Sequence, residues 1–244
     1  MSRIIGIAGK KQSGKNTSAN YIHGSVLKSK GFTEEFRISD STGELAVLSD
    51  SGWGVFDITR KDAQFVEYAE SNMWPFVKLY SFADGLKSIC VEFFGLTPDQ
   101  VYGTDKDKNS STCVLWENIP TWKNSSRNKN RGSMTARELL QYFGTDIMRK
   151  MHENVWVNHT INKIKSEQSE LSIVADVRFP NEVDAILEAG GEVIKLQRAP
   201  LKDEHSSETA LDENNFDQSK FTHIVPSGSI SELCENLENI LRGK

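Results

Sequence analysis

The chain opens on an apolar run of strand length, Ile4-Ile5-Gly6-Ile7-Ala8, followed at once by glycines and lysines. A run that short, bounded by glycine, reads as a buried strand. From 15 to about 28 the apolar residues Ala19, Ile22, Val26 and Leu27 give a helix with one apolar face, and Gly31 ends the unit. A second strand is predicted over 77–82, then a helix over 83–94 that stops at Gly95. Thr135 and Glu138 form a capping box, in which each side chain satisfies a free backbone N–H of the other residue. It opens a helix carrying Leu139, Leu140, Phe143 and Ile147 on one side. A further helix is predicted over 155–165. The run 171–175 has strand length and ends at Asp176, and Pro180 suits the first turn of a helix with Val183, Ile186 and Leu187. Gly190-Gly191 ends that helix, and strands are predicted over 192–196 and 221–225. A second capping box, Ser229 with Glu232, starts a final helix whose apolar face is Leu233, Leu237, Ile240 and Leu241.

Two stretches break this alternation. Phe36-Arg37-Ile38 and Leu45-Ala46-Val47-Leu48 flank Ser41-Thr42-Gly43, which looks like a hairpin turn, and 53–58 adds another strand. Residues 33–76 are taken as a β-rich insertion. Residues 97–134 are rich in Lys, Asn, Ser and Asp, with a pattern suited to loops or short helices. Elsewhere strands alternate with helices, which predicts an α/β fold with a mostly parallel sheet covered on both faces. Ligands in such sheets sit at the carboxyl ends of strands, and the polar segments after Ala8 and Ala175 lie at such ends.

Composition narrows the class. The 244 residues fit one large domain, or one domain with an inserted lobe. A hydrophobic share of 37% and a charged share of 26% fit a packed core rather than a disordered chain. The net charge of -5 argues against a dedicated nucleic-acid binder, though a local anion site can be positive inside an acidic protein. Cys90, Cys113 and Cys234 show neither metal spacing nor a disulfide framework. The run 4–8 is too short for a signal peptide, and no stretch approaches the roughly 18 apolar residues of a membrane span. The expectation is a cytoplasmic protein with no membrane and no nucleic-acid partner.

The chemistry begins at Gly9-Lys10-Lys11-Gln12-Ser13-Gly14-Lys15, which has the G-x4-G-K spacing of a phosphate-binding loop. Glycines let the backbone curl with its N–H groups aimed at phosphate oxygens, and the helix that follows adds the positive end of its dipole. Lys15 would reach the β and γ phosphates of ATP. Asn16 occupies the usual Ser/Thr position and Thr17 follows it, so Thr17 is the expected magnesium-shell hydroxyl, acting through water. The G-K-x-T ending is that of nucleoside monophosphate kinases. Asp176-Val177-Arg178-Phe179-Pro180-Asn181-Glu182 follows another strand. A carboxylate there can orient metal-bound water or a substrate hydroxyl, and an arginine two residues on can reach a transferring phosphoryl group. An Asp–Arg pair that merely caps the next helix is the structural alternative. Lys123, Arg127, Lys129 and Arg131 lie together without acids, as a phosphate-capturing cover or a solvated loop. His205-Ser206-Ser207-Glu208 stands where monophosphate kinases place a lid, or is a surface loop.

Five blocks in this order and spacing make the chain resemble the deoxynucleoside monophosphate kinases of large tailed phages. They are GKKQSGKNT (9–17), YSFADGLKSICVEFFGL (80–96), RELLQYFGTD (137–146) with NVW (154–156), ADVRFPNEVDAI (175–186), and HSSE (205–208). The resemblance implies transfer of the ATP γ-phosphoryl group to a deoxynucleoside monophosphate, with Mg2+, in the cytoplasm of an infected host. It implies a three-layer α/β/α P-loop kinase fold with a five-stranded parallel core. Residues 1–244 would be one such domain, with 33–76 inserted, 97–134 on the acceptor side and 199–220 a lid-like loop. By the same resemblance Lys11, Ser13, Gly14, Lys15, Asn16 and Thr17 match the ATP loop, and Arg198 faces the adenine or phosphates. Lys87, Arg137, Gly144 and Thr145 match acceptor contacts, and Trp156 packs against the base. Asp176 and Arg178 match the site of transfer with Glu182 near them, and His205 and Glu208 match the lid side.

Asn16 stands where some relatives have Asp, and Gly85 where relatives often have Pro. Residues 33–76 have no counterpart; an inserted hairpin there could serve a homodimer. The rival readings are a kinase of another small molecule, such as dephospho-coenzyme A, and a nucleotide-hydrolysing switch. Against the switch, the chain offers no base-reading Asn/Thr-Lys-x-Asp segment in a suitable place, and Asp176 is followed by Val177 rather than a second acid.

Overall fold

The computed structural model describes residues 2–119, 131–197, 209–226 and 228–243. In chain order, β1 (Arg3–Ala8) and α1 (Lys15–Ser29) lead into three short strands, β2 (Phe36–Ile38), β3 (Leu45–Ser49) and β4 (Gly52–Val55). Helix α2 (Ala63–Asn72) and β5 (Val77–Tyr80) follow. Next come α3 (Asp84–Phe94), α4 (Pro98–Tyr102), α5 (Asp105–Lys108), β6 (Ser111–Leu115), β7 (Ser133–Thr135) and α6 (Ala136–Gln141). Helix α6 continues as a π-helix, Tyr142–Arg149. The chain ends with α7 (Val155–Glu167), β8 (Leu171–Val177), α8 (Pro180–Glu188), β9 (Glu192–Leu196), β10 (His223–Val225) and α9 (Ile230–Leu241). These elements form two compact units, one of residues 1–81 and 161–244 and one of residues 82–160.

The first unit holds a five-stranded sheet in the order β10-β9-β1-β8-β5, with every pair parallel. Ile5 pairs with Ile173 of β8, which pairs in turn with Leu79 of β5. Parallel strands are covered on both faces, which is why they read as nearly continuous apolar runs. Alternation along β1 sorts its side chains between two layers. Ile5 and Ile7 join Ile22 of α1 and Leu237 of α9 in one core. Gly6 faces the other way, and a Cβ there would lie 2.6 Å from Ile186 Cδ1 of α8, so glycine lets that helix pack close. The result is the α/β/α layering expected from the sequence.

Residues 33–76 are β-rich as expected. β2, β3 and β4 form an antiparallel sheet, with Phe36 opposite Val47. The same stretch also contains α2, a helix the hydrophobic pattern did not predict. Asp62 caps that helix by accepting from the Phe65 N–H, and Phe65 and Ala69 enter the core. The second unit has its own core of Cys90, Leu96, Val101, Met134, Ala136 and Leu139. Its 97–134 stretch contains the expected short helices, and also an unforeseen hairpin of β6 and β7. The single helix expected after Thr135 is instead an α segment followed by a π segment.

Candidate active site

The residues after β1 curl as a phosphate loop should. A Cβ on Gly9 would lie 2.4 Å from Ser13 Oγ, so only glycine allows the close return of the chain. Gln12 has φ 60 and Gly14 φ 96, and the Ser13 N–H donates to the Lys10 carbonyl at 3.1 Å. Helix α1 starts from Gly14 with no side-chain cap and no acid in its first turn. The first turn thus brings no carboxylate of its own to the positive end of the helix dipole. Ser13 Oγ is buried and has no hydrogen-bond partner among the described residues. A buried hydroxyl left without a partner is costly unless a ligand completes it. Lys15 Nζ folds over the loop, donating to Gly9 O at 2.5 Å and Lys10 O at 2.7 Å. Phosphate oxygens fit this cradle.

Lys11, Ser13, Gly14, Lys15, Asn16, Thr17 and Arg178 line one cavity of about 860 Å³. Strand β8 runs to Val177, so Asp176 belongs to the strand itself rather than to the turn after it. Ser81, next to the end of β5, donates from its hydroxyl to Asp176 Oδ2 at 2.5 Å. Glu182 is only 2% exposed, and its Oε2 accepts the backbone N–H groups of Arg178 at 2.7 Å and Phe179 at 3.1 Å. A buried carboxylate at the N-terminus of α8 is favoured by the dipole and by charge-assisted bonds. Glu182 thus fixes the turn that presents Arg178 to the cavity.

The remaining acceptor candidates lie in the second unit. Lys87 Nζ stands 4.5 Å from the centroid of the Tyr102 ring. Burial, and next the charge of Asp84, push the Tyr102 hydroxyl up to about 12, so the ring under this ammonium stays a neutral phenol. Arg137 is paired with Asp105 at 2.6 Å, on an exposed surface. Gly144 and Thr145 lie on the π-helix. A Cβ on Gly144 would meet Leu86 Cδ2 at 2.5 Å, and its carbonyl accepts from Trp156 Nε1 at 3.1 Å. Trp156 is 4% exposed, so its indole supports the π-helix from within this unit. Arg198, His205 and Glu208 lie outside the described residues.

Several wall residues of the cavity had no signal in the sequence. Asp40, Ser41 and Thr42 come from the β2–β3 hairpin, and Gln197 and Leu233 from the ends of β9 and α9. Lys10 is held by Asp212 at 2.9 Å. Ser81 and Asp176 are 95 positions apart, a distance across which no local pattern speaks. Magnesium keeps most of its shell as water and substrate phosphate and needs one or two hard protein oxygens. The Thr17 hydroxyl at the cavity wall is of that kind. Among the described residues, no helix is long and apolar enough to cross a membrane.

Known proteins are similar to this chain in sequence. A family model described as deoxynucleotide monophosphate kinase matches residues 87–237. A protein of Acanthamoeba polyphaga mimivirus, provisionally named a deoxynucleotide monophosphate kinase, is 32% identical over 145 residues, 54% of this chain and 67% of the relative. The deoxynucleotide monophosphate kinase of Enterobacteria phage T4 is 26% identical over 258 residues, 98% of this chain and 99% of the relative. The deoxynucleoside-5′-monophosphate kinase of Escherichia phage T5 is 28% identical over 100 residues, 35% of this chain and 40% of the relative.

Proposed function

This chain belongs to the deoxynucleotide monophosphate kinase family, and we propose that it phosphorylates deoxynucleoside monophosphates with the γ-phosphoryl group of ATP held on the 9–17 loop. The observation that carries the donor side is the cavity where the loop, the uncapped start of α1 and Arg178 converge. Backbone N–H groups and Ser13 Oγ would bind the ATP phosphates. Lys15 would leave the Gly9 and Lys10 carbonyls to bridge the β and γ oxygens. Arg178, held by Glu182, would neutralise charge on the moving group. Phosphoryl transfer asks the protein for positioning and electrostatics rather than covalent chemistry. When bound, Mg2+ would neutralise the β and γ oxygens, with the Thr17 hydroxyl in its shell. Asp176, oriented by Ser81, would serve the reacting end of the site.

On the acceptor side, Lys87 and Arg137 would bind the monophosphate, exchanging their present partners for it. Gly144, Thr145 and Trp156 would shape the nucleoside contact, and His205 and Glu208 the lid, while Arg198 would face the adenine or phosphates of ATP. The test is ADP release with ATP and Mg2+ over a panel of ribo- and deoxynucleoside monophosphates plus dephospho-coenzyme A. Turnover with one or more deoxynucleoside monophosphates is expected. Turnover with dephospho-coenzyme A alone would reassign the acceptor, and acceptor-independent ADP release would make the chain a hydrolase.

A further inference from the structure

The inserted sheet meets the phosphate loop at its β2–β3 turn. Gly43 of that turn has φ +73, and a Cβ there would lie 2.2 Å from Thr17 Oγ1 and 3.2 Å from both Thr17 Cβ and Thr17 Cγ2. Two hydrogen bonds hold the turn in place. Asn20 Nδ2, on the helical turn after Thr17, donates to Gly43 O at 2.9 Å, and the Gly43 N–H donates to Ser39 O at 2.8 Å. Asn16, Thr17 and Thr42 line the phosphate cavity and also a neighbouring cavity of about 510 Å³, whose other walls include Phe56 and Asp57 of the insertion. The Thr17 side chain therefore stands in a wall common to both, with the backbone of Gly43 against it.

A threonine in a helix divides between two χ1 wells, because its hydroxyl can turn back to a carbonyl one turn earlier. A backbone packed on the hydroxyl, Cβ and methyl together limits exchange between those wells. We infer that the Gly43 turn is a positioning element for the Thr17 hydroxyl, so that the 33–76 insertion sets how this hydroxyl meets the metal–nucleotide complex. The metal part of the inference rests on the proposed role of Thr17. Glycine is needed at 43 twice over, for the left-handed backbone and for the close approach.

The test compares wild type with Gly43→Ala, Asn20→Ala, Gly52→Ala and Thr17→Val. Gly52, in the β3–β4 turn, has φ +100 but nothing within 4 Å of its would-be Cβ. Gly52→Ala thus carries the backbone strain without the contact. Two readouts are used: the Thr17 χ1 distribution, from three-bond couplings to its methyl carbon in nucleotide-free protein, and Mn2+ binding in the presence of ATP, from electron paramagnetic resonance. One χ1 well is expected in wild type and Gly52→Ala, and a redistributed χ1 in Gly43→Ala and, to a smaller extent, Asn20→Ala. Mn2+ binding should weaken about ten-fold in Gly43→Ala, the lower range for an outer-shell partner, and stay unchanged in Gly52→Ala. Should Gly43→Ala fail to fold, Asn20→Ala carries the same comparison. Thr17 averaging between wells in wild type, or equal shifts in Gly43→Ala and Gly52→Ala, would overturn the inference. If Thr17→Val weakens Mn2+ binding while the turn variants change neither readout, the turn's role falls alone. If Thr17→Val leaves Mn2+ binding unchanged, the metal reading of Thr17 falls, and the inference falls with it.

Discussion

Helices α1 and α6 begin in opposite ways. The start of α6 is closed: the Thr135 hydroxyl accepts from the Glu138 N–H at 3.2 Å, and Glu138 accepts the Thr135 N–H at 2.8 Å. The start of α1 is open, with a left-handed glycine in place of a cap and, next to it, a buried hydroxyl that has no partner among the described residues. A capped helix has satisfied its own end, whereas an uncapped one in a folded protein needs a ligand or water. The contrast extends to the cations. Lys15 rests on carbonyls of its own loop, while Arg137 is held by a carboxylate. On the proposed reading, the donor phosphates would meet backbone N–H groups and a helix dipole together with Ser13 and Lys15, whereas the acceptor phosphate would meet the side chains of Lys87 and Arg137. The two sides should respond differently to substitution.

The largest expected effect is at the open end. Lys15→Ala should lower kcat by about a thousand-fold with the fold intact by circular dichroism, since it removes a charge aimed at the developing transition state. Near-normal turnover would break the contrast at its root. Next comes acid. His23 of α1 is 1% exposed, and burial lowers it to about 4 from an ordinary 6.5. Between those values the unfolded chain binds the proton and the folded chain does not. Stability is therefore lost as pH falls from 6.5 to 4, by about 3 kcal/mol in total. Urea midpoints against pH should show this decline, and His23→Leu should flatten it; a decline unchanged in His23→Leu would assign it to other groups.

Arg178→Ala should lower kcat about a hundred-fold with little change in KM for ATP. A rise in the ATP KM at unchanged kcat would move Arg178 from transfer to ground-state binding. On the closed side, Arg137→Ala should raise the acceptor KM about ten-fold, the worth of one charge-assisted hydrogen bond, without altering the ATP KM. The smallest effect is at Asp105. Asp105→Ala removes an exposed ion pair worth less than about 1 kcal/mol. Steady-state kinetics should show the acceptor KM falling about two-fold as the competitor of phosphate is lost; an increase would mean that Asp105 orients Arg137 productively.

The open end was legible in the sequence because it is local. Nine residues carry the glycine spacing, the lysine and the hydroxyls, and the strand before and helix after are short-range patterns too. The capping boxes at Thr135 and Ser229 were legible for the same reason. The π-helix was not, since what accompanies it is distant: Leu86 against Gly144 and the Trp156 N–H on the Gly144 carbonyl. Helix α2 had a readable cap at Asp62, but its weak apolar face of Phe65 and Ala69 lay inside a stretch already read as strand and turn. Within the site, the bond from Ser81 to Asp176 and the Gly43 contact with Thr17 are tertiary facts. The Ser41-Thr42-Gly43 turn was visible as a turn, but nothing in it announced where its tip would rest.

The most direct measurement of the central claim follows the label from γ-32P-ATP in the presence of Mg2+ and each deoxynucleoside monophosphate, in wild type and Lys15→Ala. The expected result is label in the deoxynucleoside diphosphate for wild type with at least one acceptor, and its near-complete loss in Lys15→Ala. Label appearing only as inorganic phosphate, at a rate indifferent to the acceptor, would contradict it.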